Sequence, residues 1–322
     1  MLRTLVLALL VVSGSTVARA EVDFGSAHAI VIDDATGDVL FSKDAQTAAP
    51  IASLTKVLTA MVVLDARQAP DEALRITDAD VDRLKRTRSG VPVGSVVIRA
   101  TLLELALVAS DNRAASALAR NFRGGIPAFN AAMRRKIRAL GLQRTTIEEP
   151  TGLSPNNVSS AEDMAKVLRA AARYPEIERI TSQRSVTALV QGRPWEVRNT
   201  NSMVGAPGWN VLLSKTGYTR EAGRCLSMRM QAGDRTVTLV LMGAALASER
   251  ALDALNVLQR LNGETSSARA QPQVGDQAVA RVVGRPANGA LPSGGDGAEA
   301  AEGSDAAPEP GAAPDTDEPV AH

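Results

Sequence analysis

The spacing of the apolar residues changes twice along the chain, and those changes restrict the fold more than any other feature of the 322-residue sequence. Residues 27–33 are apolar and β-branched, Asp34-Ala-Thr-Gly37 turns the chain, and 38–42 returns it, which reads as a hairpin. From Pro50 the spacing becomes helical. Val57, Leu58, Met61, Val62 and Leu64 give one apolar face to a helix predicted from Ser53 to about Ala66. Further helices are predicted at 102–109, behind a Thr101/Glu104 capping box, at 113–121, and at 126–140, closed by Gly141. Ser159 to Glu162 caps another, which ends near Tyr174-Pro175. The pattern then turns strand-like at 186–190, 195–199, 211–215, 224–231 and 236–242, with Gly233-Asp234 marking a tight turn between the last two. Ser248 caps a closing helix to Leu261. Strands at both ends around a helical block predict one α+β domain whose antiparallel sheet gathers N- and C-terminal segments.

The flanks read differently. Arg3, an apolar run at 5–12 and small residues ending Ala18-Arg19-Ala20 form an export signal, with cleavage expected before Glu21. The run is too short to span a bilayer, and no later one is long enough, so no integral membrane anchor is expected. From Gly263 the chain is rich in Ala, Gly, Pro, Asp and Glu, with 10 acidic and 3 basic residues, a composition expected to stay disordered. The domain is therefore placed at 21–262 and the tail at 263–322. Without the tail the chain is basic, which suits either an anionic polymer or an ordinary solvated surface. Net charge of the whole is +1 and aromatics are 2 %, which argues against nucleic acid. The single cysteine, Cys225, rules out an intrachain disulfide and reads as a core residue. There are two histidines, His28 and His322, one opening a strand and one ending the tail. A Ser-His-Asp triad and a histidine-based zinc site both lack material, so no cofactor or metal is expected.

Three short patterns remain. Ser53-Leu-Thr-Lys56 places a hydroxyl and an amine three residues apart, hence on one helix face. A desolvated lysine loses basicity and can take the serine's proton. Alone the spacing is weak, arising by chance about once in a chain this long, and an N-cap serine beside a surface lysine explains it equally well. Ser110-Asp111-Asn112 falls between two helical runs, where a hydroxyl can relay a proton and a carboxamide can bind a peptide bond. An ordinary turn has the same composition. Ser154-Pro155-Asn156 fits the pattern too, but Gly152 and the proline make it read as a simple loop. Lys215-Thr216-Gly217 ends a predicted strand, where a cation and a hydroxyl suit a carboxylate and Gly217 lets a substrate backbone approach.

In this order the three patterns resemble the low-molecular-mass penicillin-binding proteins, the serine D-Ala-D-Ala carboxypeptidase and endopeptidase family. Ala48-Ala-Pro-Ile-Ala-Ser53, Glu149-Pro-Thr-Gly-Leu-Ser154 and Lys215-Thr-Gly-Tyr-Thr219 also match, over roughly residues 27–261. Arg198-Asn-Thr-Asn201 and Ala222-Gly-Arg-Cys225 are most similar to the endopeptidase branch. The resemblance implies a transpeptidase-like fold with an all-helical insertion, a periplasmic location, peptidoglycan as substrate and β-lactams as covalent inhibitors. It further implies that Ser53 is the nucleophile and Lys56 its base. Ser110 and Lys215 would pass a proton to the leaving amine. Asn112 would hold the substrate amide and Thr216 its carboxylate, and the Ser53 and Tyr218 N–H groups would form an oxyanion hole. Asp111 is read as non-catalytic. The alternatives are a D-Ala-D-Ala carboxypeptidase, a β-lactamase using Glu148 or Glu149 to activate water, and a non-catalytic peptidoglycan-binding protein.

Overall fold

The computed structural model describes residues 22–270. The expected export signal and most of the acidic tail lie outside them. In chain order the elements are β1 (His28–Asp33), β2 (Val39–Lys43), β3 (Ala49–Pro50), α1 (Thr55–Asp65), β4 (Ala73–Arg75), β5 (Val96–Ile98), α2 (Arg99–Val108), α3 (Asn112–Arg120), α4 (Gly125–Ala139), β6 (Val158–Ser159), α5 (Ala161–Ala171), α6 (Pro175–Thr181), β7 (Ser185–Val190), β8 (Arg193–Arg198), β9 (Asn210–Thr219), β10 (Gly223–Ala232), β11 (Arg235–Ala244) and α7 (Ala247–Ala270).

The predicted sheet forms. Its five strands run in the order β2-β1-β11-β10-β9, each pair antiparallel, so the N-terminal hairpin pairs with the C-terminal meander through Ile30 opposite Val240. Alternating side chains enter different cores, as the strand period of two requires. Ile30, Ile32, Val240 and Met242 pack with the residues of α1 to α5, while Ala29, Val31, Leu239 and Leu241 pack with Ala254, Val257 and Leu258 of α7. The sheet is thus the middle layer between a helical block and one helix.

Helix α1 is the centre of the helical block. Every residue from Thr55 to Val63 is buried, Lys56 included. A helix apolar all round belongs in a core, and a fully buried leucine such as Leu58 contributes about 2 kcal/mol.

Several boundaries differ from the sequence reading. The Thr101/Glu104 box does not cap α2, whose N-cap is Ile98, because Arg99 and Ala100 donate their N–H groups to the carbonyls of Glu72 and Pro70. Ser160, not Ser159, caps α5 by accepting from Asp163 N. Pro175 starts α6 rather than ending the block, in keeping with proline's fit at a first helical position. The insertion is not all helical, since β3 pairs with β6 and β4 with β5. β7 and β8 form their own two-stranded ribbon outside the main sheet. Helix α7 runs past Leu261 to Ala270.

Candidate active site

Ser53 lies in a single 3-10 turn, Ala52–Leu54, that leads directly into α1. Its N–H belongs to the group of first-turn donors that a helix leaves without internal partners. Ala52, just before it, takes φ +46°, a left-handed conformation that a non-glycine residue holds only when its surroundings impose it. Two backbones impose it. Gly152 has φ +89°, and a Cβ there would stand 1.9 Å from the Ala52 carbonyl oxygen and 2.8 Å from Ser53 N. On the opposite approach, a Cβ at Gly217 would stand 3.0 Å from the Ile51 carbonyl oxygen and 3.1 Å from Ser53 N. Gly217 therefore admits the serine's own turn, a closer constraint than the substrate approach the sequence suggested.

Lys56 is 1 % exposed, and its Nζ is hydrogen-bonded at 2.8 Å to Ser53 Oγ, 2.7 Å to Asn112 Oδ1 and 2.7 Å to the Thr151 carbonyl. Burial lowers its pKa to about 7, against the opposing pull of the Glu149, Asp111 and Asp82 carboxylates. As an ammonium it donates to all three oxygens. As a neutral amine it keeps two donors for Asn112 and Thr151, and its lone pair faces Ser53 Oγ. The arrangement can thus take a proton from Ser53 without moving a heavy atom.

The Thr151 carbonyl is placed by the loop from Glu148 to Asn157. The Glu149 carboxylate accepts from the N–H groups of Thr151 (2.7 Å), Gly152 (2.6 Å) and Leu153 (2.8 Å). Buried Asn157 accepts from Glu148 N at 2.9 Å, donates to the Glu149 carbonyl at 2.8 Å, and offers its own carbonyl to Ile51 N at 3.0 Å. From sequence, residues Glu149 to Ser154 stand as a family match with no role for Thr151 or Gly152, and nothing singles out Asn157. A carboxylate three residues before a glycine was the available signal. Ser154 and Asn156 instead bond the Glu148 carboxylate, as befits a loop.

Ser110 sits between α2 and α3 at φ +57°, and its hydroxyl makes no hydrogen bond to another described residue. Asp111 caps α3, accepting from Ala114 N at 2.8 Å and from Ser89 Oγ at 2.8 Å. That role accounts for it as a structural residue. Asn112 is the first residue of α3, and its Nδ2 donates to Thr87 Oγ1 at 2.9 Å.

Lys215, Thr216, Gly217 and Tyr218 lie inside β9, which continues to Thr219 instead of ending at Lys215. β9 is an edge strand, paired only with β10 in the main sheet. Lys215 is 1 % exposed and donates to the Thr216 carbonyl at 2.9 Å. Burial, then the charges of Lys56 and Arg250, hold its pKa well below the usual lysine value. The Thr216 and Thr200 hydroxyls pair at 2.7 Å, which gives the Arg198-Asn-Thr-Asn201 stretch a place beside the site. Tyr218 is 52 % exposed and stacks under the Arg224 guanidinium at 3.9 Å. Cys225 is buried opposite Gly217, with its pKa raised by burial to about 11, a core thiol as expected. His28 opens β1 opposite Met242. Among the described residues no cluster of three or more His, Cys, Asp or Glu could hold a metal ion, and no helix is long and apolar enough to cross a membrane.

Comparison with known proteins follows the same lines. A family profile described as D-alanyl-D-alanine carboxypeptidase, peptidase S11, matches residues 15–246. The chain is 42 % identical over 224 residues to a D-alanyl-D-alanine endopeptidase of Pseudomonas aeruginosa, covering 69 % of this chain and 72 % of that protein. It is 40 % identical over 234 residues to one of Escherichia coli, covering 72 % and 75 %. A Streptomyces DD-transpeptidase shares the fold at TM-score 0.70 and 23 % identity, over 76 % of this chain and 99 % of its own. A Listeria monocytogenes penicillin-binding protein in its ampicillin-bound form superposes at TM-score 0.65 and 25 % identity, over 76 % and 99 %.

Proposed function

The chain belongs to the peptidase S11 family, and from that premise we propose that it is a penicillin-sensitive serine DD-peptidase that cuts D-Ala–D-amino-acid crosslinks of peptidoglycan. The observation that carries the reading is the Lys56 amine, buried and held between Ser53 Oγ, Asn112 Oδ1 and the Thr151 carbonyl. Lys56 takes the Ser53 proton as Oγ attacks the D-Ala carbonyl carbon. The Ser53 and Tyr218 N–H groups face the oxyanion, each donor worth roughly 3 kcal/mol in acyl transfer. The C–N bond then breaks, Ser110 and Lys215 deliver a proton to the leaving amine, and water hydrolyses the Ser53 ester. Asn112 and Thr216 position the substrate amide and carboxylate.

The endopeptidase preference is supported by the two relatives of that name, each 40 % identical or more. Carboxypeptidase relatives share less, 29 % for one from Bacillus subtilis. A β-lactamase needs a carboxylate free to activate water. The Glu149 carboxylate is taken up by the N–H groups of its own loop, which favours a long-lived penicillin adduct. Acting on peptidoglycan requires a place outside the cytoplasm, and we assign the periplasm, reached by the leader at 1–20.

Two measurements test the reading together. Fluorescent penicillin labels the protein covalently, and crosslinked muropeptide dimers are converted to monomers. Ser53→Ala abolishes both. Labelling that survives Ser53→Ala, or dimers that stay intact while terminal D-Ala is released, overturns the nucleophile or the bond respectively.

A further inference from the structure

The segment between β4 and β5 plays no part in the scheme above, yet it reaches the base. The Asp82 carboxylate folds the chain back on itself, accepting from Leu84 N at 2.8 Å, Thr87 N at 2.8 Å and Thr87 Oγ1 at 2.7 Å. Burial works against the Asp82 carboxylate, but these bonds outweigh it and keep its pKa below the ordinary value. Because the Thr87 hydroxyl spends its proton on Asp82, it faces Asn112 as an acceptor, and Asn112 Nδ2 donates to it at 2.9 Å. A carboxamide held by its nitrogen has one orientation left, with Oδ1 on the other side. That oxygen is the one bonded to Lys56 Nζ at 2.7 Å. The segment is fixed at further points, with Ser89 Oγ on Asp111 at 2.8 Å and the Arg113 guanidinium on the Val91 carbonyl at 2.6 Å.

The geometry points to Thr87 and Asp82 as positioning residues for the catalytic amine, acting through Asn112: Asp82 orients the Thr87 hydroxyl, Thr87 orients the Asn112 carboxamide, and the carboxamide oxygen holds Lys56. The inference rests on the DD-peptidase reading. If the carboxamide were reversed, Nδ2 would face Lys56. A neutral amine would then accept from Asn112 with the lone pair it needs for Ser53, and an ammonium would meet a donor instead of an acceptor. The anchored orientation excludes both. It also leaves Asn112 one N–H for a substrate carbonyl, since only the other is spent on Thr87.

The test is the rate of Ser53 acylation by fluorescent penicillin as a function of pH in Thr87→Val, Thr87→Ser and Asp82→Asn. Thr87 is exposed, so the fold tolerates the valine. Thr87→Val lowers the plateau roughly tenfold, the worth of one lost hydrogen bond of the stronger kind. It also moves the acid limb to lower pH, because the ammonium loses an acceptor. Thr87→Ser restores both. Asp82→Asn moves the limb the same way, since the lost charge is one of three carboxylates, with Glu149 and Asp111, that favour charged Lys56, while Lys215 opposes it. A Thr87→Val protein that labels at the wild-type rate with the limb in place overturns the inference. So does one whose plateau falls with the limb unmoved, the mark of simple loss of folded protein. A wild-type protein that never labels sinks the DD-peptidase reading instead, so the two failures are distinct.

Discussion

Gly152→Ala separates conformational strain from steric exclusion at the Ser53 turn. Two costs add at Gly152. The first is a φ of +89°, which a side chain adopts at about 1–2 kcal/mol. The second is a methyl group 1.9 Å from the Ala52 carbonyl oxygen and 2.8 Å from Ser53 N, both backbone atoms that cannot swing aside. Reaching ordinary contact displaces the Ser53 turn or the Thr151 loop by more than an ångström. Because Thr151 holds Lys56 and the turn holds Ser53, that displacement falls directly on the distance between Ser53 Oγ and Lys56 Nζ. A misplacement of about 1 Å costs a reaction on the order of a hundredfold. Gly94→Ala supplies the control, since Gly94 has φ +88° with nothing within 4 Å of the added carbon. In a thermal melt Gly94→Ala should lose only the dihedral cost of about 1–2 kcal/mol, and Gly152→Ala more than that because the clash adds to it. Only Gly152→Ala should lose acylation, by roughly a hundredfold in a fluorescent-penicillin time course. A Gly152→Ala protein that acylates within a few-fold of wild type, with a normal melt, would refute the claim that this contact sets the site.

Three further outcomes follow from the same site. Acylation should rise with pH through about 7 and then level as Lys56 loses its proton. The unfolded chain keeps that proton up to the ordinary value of 10.5, so it binds more protons than the folded chain between about 7 and 10.5. Stability contributed by this residue therefore increases with pH across that window and is lowest below it, which denaturant titrations at pH 6 and pH 9 would show. Glu149→Ala removes the acceptor of four backbone N–H groups. It should destabilise by about 3 kcal/mol, lowering Tm by roughly 6–10 °C, and slow acylation by releasing Thr151. An unchanged Tm would show that the loop holds without its carboxylate.

The parts of the molecule legible in the sequence were those governed by local periodicity. Residues 27–33 and 236–242 are short, nearly continuous apolar runs rich in β-branched residues, and they pair within the sheet. Ser53 and Lys56 are one turn apart, so their meeting follows from helix geometry alone. What local pattern could not show is contact across long stretches of chain. Lys56 and Thr151 are 95 residues apart, and Asn112 and Thr87 are 25 apart. From sequence Gly152 reads as a loop glycine and Gly217 as room for a substrate backbone, because the protein backbone that both admit lies elsewhere in the chain. The Thr101/Glu104 box had the right spacing for a cap, but neighbouring carbonyls had already taken the N–H groups at the start of α2.

The edge position of β9 also has a consequence in time. Ser53 leaves the ribosome early, while the strand that completes its surroundings spans Asn210–Thr219. At about 5–20 residues per second the gap between Ser53 and Lys215 is roughly 10–30 s. During that interval α1 can form, but the turn at Ala52 has no Gly217 against it and no second lysine nearby. The sheet itself closes only when β11 reaches β1. A chain that lacks its C-terminal strands therefore carries the Ser53 hydroxyl without its surroundings, and the site is completed only when those strands join the N-terminal hairpin.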